Sequence, residues 1–405
     1  MGDRLRRLGR RPPARPARTA PRGIALRHRG GDPLLPVAVV KVLQLLPELN
    51  SGGVERGTLE LGRHLVQEGH ESLVISNGGR LVATLEADGS RHLTRPVHRK
   101  SPLSLREVRP LRRIFAEERP DIIHARSRLP AWLAFLAWRK MDPASRPRFV
   151  TTVHGFNSVN AYSRIMTRGE RVICVSNAIR EFVRQNYPGC PEENLVVIHR
   201  GIDPSEYPRD FRPPDDWLAS WHREFPATDG KRLLVLPGRV TRLKGHHDFL
   251  RLLQALAPEY PDLHGVIAGG VAPGKEAYGR EVAEEIATLG LDGRVTLAGE
   301  RSDLREILAL ATISYSLSQK PESFGRTVLE SLALGTPVIG YDHGGAGEIL
   351  QALLPEGGVP RHDHDALCER TRRFLDAPPA IAPDHPFTRE KMLAGTVAVY
   401  EALLR

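Results

Sequence analysis

The stretch "VAVVKVLQLLPELNSGGVERGTLELGRHLVQEGHESLVIS" (37–76) decides the fold. Its opening run, "VAVVKVLQLLP", is almost continuously apolar, which suits a parallel strand buried on both faces. The next segment, "VERGTLELGRHLVQEGH", has helical periodicity, and "ESLVIS" reads as a second strand. Together they make a β-α-β unit. Working outward, the alternation continues through a helix at 104–118, "DIIHAR", "LPAWLAFLAWRK", "RFVTTVHG", "RVICVS", "NAIREFVRQNY" and "NLVVIHRG". Such alternation predicts an α/β fold with an open parallel sheet and helices on both faces.

The pattern breaks at 203–230, "DPSEYPRDFRPPDDWLASWHREFPATDG", whose Pro, Asp and aromatic content without a clear period predicts an interdomain linker with one short helix. A second α/β series follows, from "RLLVLPG" to "TPVIGYD" and two further helices. The final helical stretch, "REKMLAGTVAVYEALLR", has no strand after it. The expected organisation is a tail at 1–36, a first Rossmann-like domain at 37–205, a linker at 206–230, a second such domain at 231–385 and a terminal helix at 386–405. A chain of 405 residues is long enough for two cores of ordinary size.

The net charge of +10 invites a nucleic-acid reading, but its distribution argues against one. Residues 1–36 hold ten arginines against Asp3 and Asp32, so +10 less the tail's +8 leaves only +2 for the rest. The tail, rich in Arg, Pro and Gly and without the apolar core of a secretion signal, is expected to be disordered. The three cysteines, Cys174, Cys190 and Cys368, share no metal-ligand or CxxC spacing and suit reduced thiols in a cytoplasmic protein. No apolar run is long enough for a membrane span.

Ligands of open α/β sheets bind beyond the C-terminal ends of the strands. There the first domain carries Gly52 and Gly53 in "PELNSGGVERG", His124 and Arg126 in "DIIHARSR", and His154 in "TTVHGF". The GGxxxG spacing is not that of a dinucleotide fingerprint, and a lone strand-end histidine reads as structural before it reads as catalytic. The second domain is more pointed. "PGRVTRLKGHHDFL" places Arg239 and Lys244 on one loop ahead of a helix, a fitting site for a diphosphate. In "PESFGRTVLESLALGTPVI" (321–339), Ser323, Phe324 and Gly325 are expected to begin a helix whose free N–H groups face a phosphate. Eight residues at 3.6 per turn would bring Glu322 and Glu330 to nearly one face, one carboxylate for a sugar hydroxyl and the other for a ribose diol. Taken alone, E-x7-E is a weak pattern whose default reading is a cap and a surface residue. No acidic metal site stands out, and "DHD" (363–365) reads as a helix start with Asp365 as N-cap.

These stretches occur with "SGGVERGT", "VSNAIRE", "VIHRGID" and "DHGGAGEIL" in an order that resembles the retaining glycosyltransferases of group 1, family 4. The resemblance spans about residues 38–405, and "PDIIHARSRLPAW" is similar to the lipopolysaccharide-core branch. It implies a GT-B fold, with two Rossmann-like domains facing across a cleft and the terminal helix crossing back to the first. It also implies that Arg239 and Lys244 hold the donor diphosphate and steady the leaving nucleoside diphosphate. Glu322 would touch the transferred sugar, the Ser323–Gly325 amides the phosphates, and Glu330 the ribose. Gly52, Gly53 and His154 would face the reacting sugar from the first domain, and Glu348 matches a recurrent acidic position without a stated role. The resemblance implies a nucleotide-sugar donor and a reaction that requires neither metal nor cofactor.

The acceptor implied is a lipid-linked or envelope glycan. The segment 95–115 mixes Arg95, Arg99, Lys100, Arg106, Arg109, Arg112 and Arg113 with Leu103, Leu105, Val108 and Leu111, and could rest on an anionic membrane or stand as a solvated helix face. The rival readings are a nucleotide-sugar 2-epimerase on the same fold, which "GRVTRLKG" with E-x7-E disfavours, and a non-catalytic binding protein, including one for nucleic acid.

Overall fold

The computed structural model describes residues 24–25, 37–50 and 52–405. The expected disordered tail lies outside the described residues, apart from Ile24–Ala25, which pairs antiparallel with Val37–Ala38.

The run that opens the sequence forms the strand Lys41–Leu45, in which every residue is buried. It is a central strand of a seven-stranded sheet, in the spatial order Arg91–Thr94, Glu71–Ser76, Lys41–Leu45, Ile122–Ala125, Arg148–Val153, Arg171–Cys174, Leu195–Val197. All six pairings are parallel. Strands buried on both faces need helices on both sides, and the two core clusters supply them. On one face Leu43, Leu45 and Ile123 pack with Leu111, Phe115 and Leu133. On the other, Val42, Ile122 and Val150 pack with Leu61 and Leu65 and with Leu393, Val399 and Tyr400 of the terminal helix Arg389–Leu404. The last helix of the chain thus closes the first sheet.

A second, six-stranded sheet runs Val295–Leu297, Leu263–Ala268, Arg232–Pro237, Ile313–Ser316, Val338–Tyr341, Gly358–Val359, again wholly parallel. The segment expected as a linker is built into this half. Its helix, Asp215–Glu224, buries Trp221 among Leu233, Val235 and Val266, while Trp217 donates to Asp303 Oδ2 at 2.8 Å. A helix with two tryptophans on one face gains too much by burial, about 2–3 kcal/mol for each large side chain, to stay in solvent.

Two local expectations differ. Residues 102–118 form a 3₁₀ turn, Pro102–Glu107, and then the helix Val108–Glu118. The helix His364–Asp376 is capped by Asp363, whose carboxylate accepts from Ala366 N–H at 2.9 Å, so Asp365 falls in its first turn.

The chain passes between the two halves twice, and the passes bond to each other. Ile202 N–H donates to Phe387 O at 3.2 Å, and Arg389 N–H donates to Ile202 O at 2.8 Å. Both sheets point the C-terminal ends of their strands toward the cleft beside this crossing.

Candidate active site

On the second sheet, the loop after Arg232–Pro237 leads into the helix His246–Leu256 through Gly245, whose φ is +77°. A side chain there would be strained, and its Cβ would lie 2.1 Å from Leu317 O. The tight turn brings Lys244 against the neighbouring loop, where its Nζ meets Glu322 Oε1 at 2.5 Å. Ser318 Oγ also donates to this oxygen. Burial would raise the Glu322 carboxyl, but the Lys244 ammonium and these hydrogen bonds outweigh it and hold it below the usual carboxylate range. Arg239, earlier on the same loop, is exposed and makes no ion pair among the described residues.

Glu322 and Glu330 do not share a helix face. The helix is Arg326–Ala333, and Gly325 ahead of it has φ +91°, so the 3.6-residue period does not run between the two glutamates. Ser323 is half-buried, whereas Phe324 is buried and packs edge-on against Phe387 near the crossing. Glu330 is 5% exposed; its Oε1 accepts from Arg326 Nε at 2.6 Å and from Tyr207 Oη at 3.0 Å. Burial and the Glu330 charge push the Tyr207 phenol up to about 12, which keeps it a donor. What the structure does bring together is Lys244, Glu322 and two helix N-termini, whose free N–H groups and dipoles favour an anion.

The first domain contributes the opposite wall. Gly52 and Gly53 are exposed at the start of the helix Gly53–Gln67. Gly53 O accepts from Arg200 Nη1 at 2.8 Å, while Arg200 Nη2 donates to His154 Nδ1, also at 2.8 Å. This bond fixes the tautomer. With Nδ1 accepting, the proton of neutral His154 sits on Nε2, a buried donor without a partner. Burial, and then the charges of Arg200 and Arg126, hold the His154 pKa well below its ordinary value, so the ring stays neutral. Arg200 itself is lowered to about 10 by burial and by Arg126, and remains a cation. The field of Arg326 in the second domain acts on Arg200, so the two walls stand within electrostatic reach. His124 is structural: its ring lies between Tyr400 Oη and Thr152 Oγ1, each at 2.6 Å.

Glu348, on the helix Gly344–Leu353 of the second half, ties the halves together. It accepts from Asn177 N–H at 2.9 Å and Ala178 N–H at 2.5 Å, at the N-terminus of the first domain's helix Asn177–Asn186, and meets His199 Nε2 at 3.0 Å. Among the described residues no three His, Cys, Asp or Glu side chains cluster as metal ligands would.

Comparison with known proteins matches this geometry to a family. Residues 51–206 match Glycosyltransferase Family 4 and residues 219–385 match Glycosyl transferases group 1. The chain belongs to the group 1 glycosyltransferases. A lipopolysaccharide core biosynthesis mannosyltransferase of Rhizobium meliloti, LpsB, is 28% identical over 52% of this glycosyltransferase and 62% of its own length. The corresponding LpcC of Rhizobium leguminosarum is 26% identical over 60% and 68%. The chain therefore spans about two thirds of the length of these relatives. Among solved structures, a glycosyltransferase of Rickettsia africae superposes with a TM-score of 0.79 at 27% identity, covering 91% of this chain and 99% of that one. Anabaena HepE, solved in complex with UDP-glucose, superposes at 0.65 with 20% identity over 89% and 94%, a likeness of fold. Two Rossmann-like domains across a cleft make this the GT-B architecture.

Several residues of the candidate site carried little or no signal in the sequence. Arg200 stood inside the quoted "VIHRGID", and its position at a strand end, just before the crossing, was the available clue. Tyr207 and Arg326 act through Glu330, and the partners of Glu348 lie about 170 residues away in the chain. One sequence without pair information cannot supply such contacts.

Proposed function

We propose that this glycosyltransferase moves a hexose or heptose, with retention, from a nucleotide-diphosphate sugar to a lipid-linked or envelope glycan of the lipopolysaccharide-core kind. The observation that carries the reading is the Lys244–Glu322 pair, set between two helix N-termini and opposite the neutral, donor-bearing His154. Breaking the anomeric C–O bond leaves positive charge on the sugar and negative charge on the departing diphosphate. Fixed positive charge and oriented N–H groups stabilise that diphosphate as it forms, which lowers the barrier. Lys244 and Arg239 take this role, Glu322 orients Lys244 and meets the sugar, and His154 Nε2–H donates to the sugar or acceptor. The acceptor hydroxyl attacks from the face the diphosphate leaves, and its proton passes to the leaving phosphate oxygen. The reading calls for no metal and no cofactor.

The acceptor class rests on the names of the relatives and on one surface. Leu103 and Leu105 are 62% and 57% exposed, with Arg106, Arg109 and Arg112 exposed beside them, while Val108, Leu111 and Phe115 turn into the core. Such a face suits peripheral contact with anionic lipid at the cytoplasmic side of a membrane; no described helix is long and apolar enough to cross one. A melting-temperature screen with UDP-, GDP- and ADP-sugars tests the donor site. A ligand held by the folded state alone, at 100 times its Kd, adds about 2.7 kcal/mol of stability. No shift with any of the three refutes the reading, and conversion of free UDP-sugar without transfer would move it to an epimerase.

A further inference from the structure

Beside His154 the first domain holds a cavity of about 280 Å³, lined by Arg126, Arg128, His154, Asn157, Ser127 and Thr152 among others. Two of its polar atoms are buried without a partner: Arg126 Nε and His154 Nε2. Arg126 is 7% exposed, and its one side-chain hydrogen bond among the described residues, from Nη1 to Gln44 Oε1 at 2.9 Å, goes to a neutral group. Arg200 is bonded to a backbone carbonyl and to neutral His154. Neither guanidinium forms an ion pair with a carboxylate among the described residues; Glu55 and Glu60 act on both only at a distance. The two cations also converge. A Cβ on Gly57 would lie 3.0 Å from Arg126 Nη2 and 3.5 Å from Arg200 Nη1, so the bare glycine leaves room for both.

Like charges held together in a buried place, with unused donors beside them, repel unless an anion joins them. Burial lowers the pKa of Arg126, and burial followed by the neighbouring guanidinium charges lowers those of Arg200 and His154, which agrees with that picture. We propose that this cavity binds an oxyanion, carboxylate or phosphate, carried by the acceptor next to the hydroxyl that receives the sugar. Arg126 makes the contact, His154 Nε2–H adds a donor, and Arg200 is a positioning residue that fixes the His154 tautomer. The inference deepens the proposed transferase reading and rests on it, since there the donor's own phosphates belong to the other wall, at Lys244. It makes acidity of the acceptor a condition of recognition.

The test uses the full chain saturated with the nucleoside diphosphate that raises its melting temperature most, so that the donor phosphate site is filled. Glucuronate, glucose 6-phosphate and glucose are then titrated at constant ionic strength. The expected result is a second rise in melting temperature with an acidic sugar and none with glucose. Arg126→Gln should abolish that rise, and Arg126→Lys should retain part of it. A response to glucuronate alone identifies a carboxylate, and to glucose 6-phosphate alone a phosphate. Equal response to glucose, no response to either acid, or a response kept in full in Arg126→Gln overturns the proposal. Failure of the first rise, with the diphosphate, strikes the transferase reading instead. Should Arg126→Gln not fold, the Arg126→Lys titration against wild type decides, because unchanged affinity there and equal binding of glucose would each speak against an anion site.

Discussion

Replacing Glu348 by glutamine keeps the shape of the side chain and removes its charge. In the wild type, one carboxylate receives Asn177 N–H, Asn177 Nδ2–H, Ala178 N–H and His199 Nε2, across the cleft between the two halves. Hydrogen bonds to a charged group contribute about 1.5–3 kcal/mol each, and an anion at a helix N-terminus about 0.3–2 kcal/mol. Glutamine retains one acceptor oxygen and half the geometry, so a net loss on the order of 2 kcal/mol is expected. At about 1.4 kcal/mol per tenfold, the closed arrangement should lose roughly 30-fold in population. Fluorophores on the helices Val108–Glu118 and Glu276–Thr288 would report the separation of the halves. The variant should show a longer mean distance and a lower kcat/KM at unchanged melting temperature of each half. pH gives a second reading. Burial would raise the Glu348 carboxyl, but the hydrogen bonds from His199, Ala178 and Asn177 outweigh it and lower its pKa. A depressed carboxylate contributes fully above the ordinary glutamate value near 4.5 and is lost as pH falls through the lowered one. Wild type should therefore open on acidification below about 4.5, and the glutamine variant should not respond in that window. Identical distances and kinetics in the two proteins would refute the clamp.

Two further outcomes follow from the site and the core. Lys244→Ala removes the cation beside the leaving group, and by analogy with loss of one transition-state donor should lower kcat by about 10²–10³. Glu330→Gln should chiefly raise the donor KM; steady-state kinetics of both variants check this, and unchanged constants in both would sink the site assignment. His124 and His154 are buried with pKa values far below the ordinary one, mainly through burial. Unfolding lets each bind a proton below about pH 6.5, so stability is full above that value and falls as pH drops, by on the order of 1.4 kcal/mol per group per pH unit. Denaturant midpoints that stay level from pH 7 to 5 would contradict it.

What the sequence made legible was what repeats within a few residues. The run at 37–47 suits a strand buried on both faces, and Lys41–Leu45 is one. Strand ends also singled out Lys244, Glu322, His154 and the Gly52–Gly53 turn, each of which the structure places in the connection after a strand. The errors arose where one residue's conformation overrode a period. Gly325 at φ +91° interrupts the helix that was to align Glu322 with Glu330, and the pair of tryptophans drew the expected linker onto the second sheet. The contacts that complete the site join residues from opposite halves or distant strands, Arg200 with His154 and Glu348 with Asn177, and they follow from tertiary packing alone.

The clamp and the catalytic wall are neighbours along the chain, and this links closure to chemistry. His199 meets Glu348, and the next residue, Arg200, bonds both Gly53 O and His154 Nδ1. Ile202 follows at the crossing, held to Phe387 and Arg389. Four consecutive residues, 199–202, thus carry the interdomain clamp, the group that sets the His154 tautomer and the pivot. His199 and Arg200 are adjacent, so a backbone shift at His199 when Glu348 lets go would reach Arg200, whose two bonds are directional and fail within about an ångström of displacement. If Arg200 withdraws, His154 loses the donor on Nδ1, its proton is free to occupy either nitrogen, and the buried Nε2–H is no longer fixed. Such a shift would disarm the histidine as well as parting the walls. Glu348→Gln should on this account lower kcat along with donor affinity, and Arg200→Lys, which leaves the clamp intact but lacks the fork that reaches both partners, should lower kcat without changing the distance between the halves.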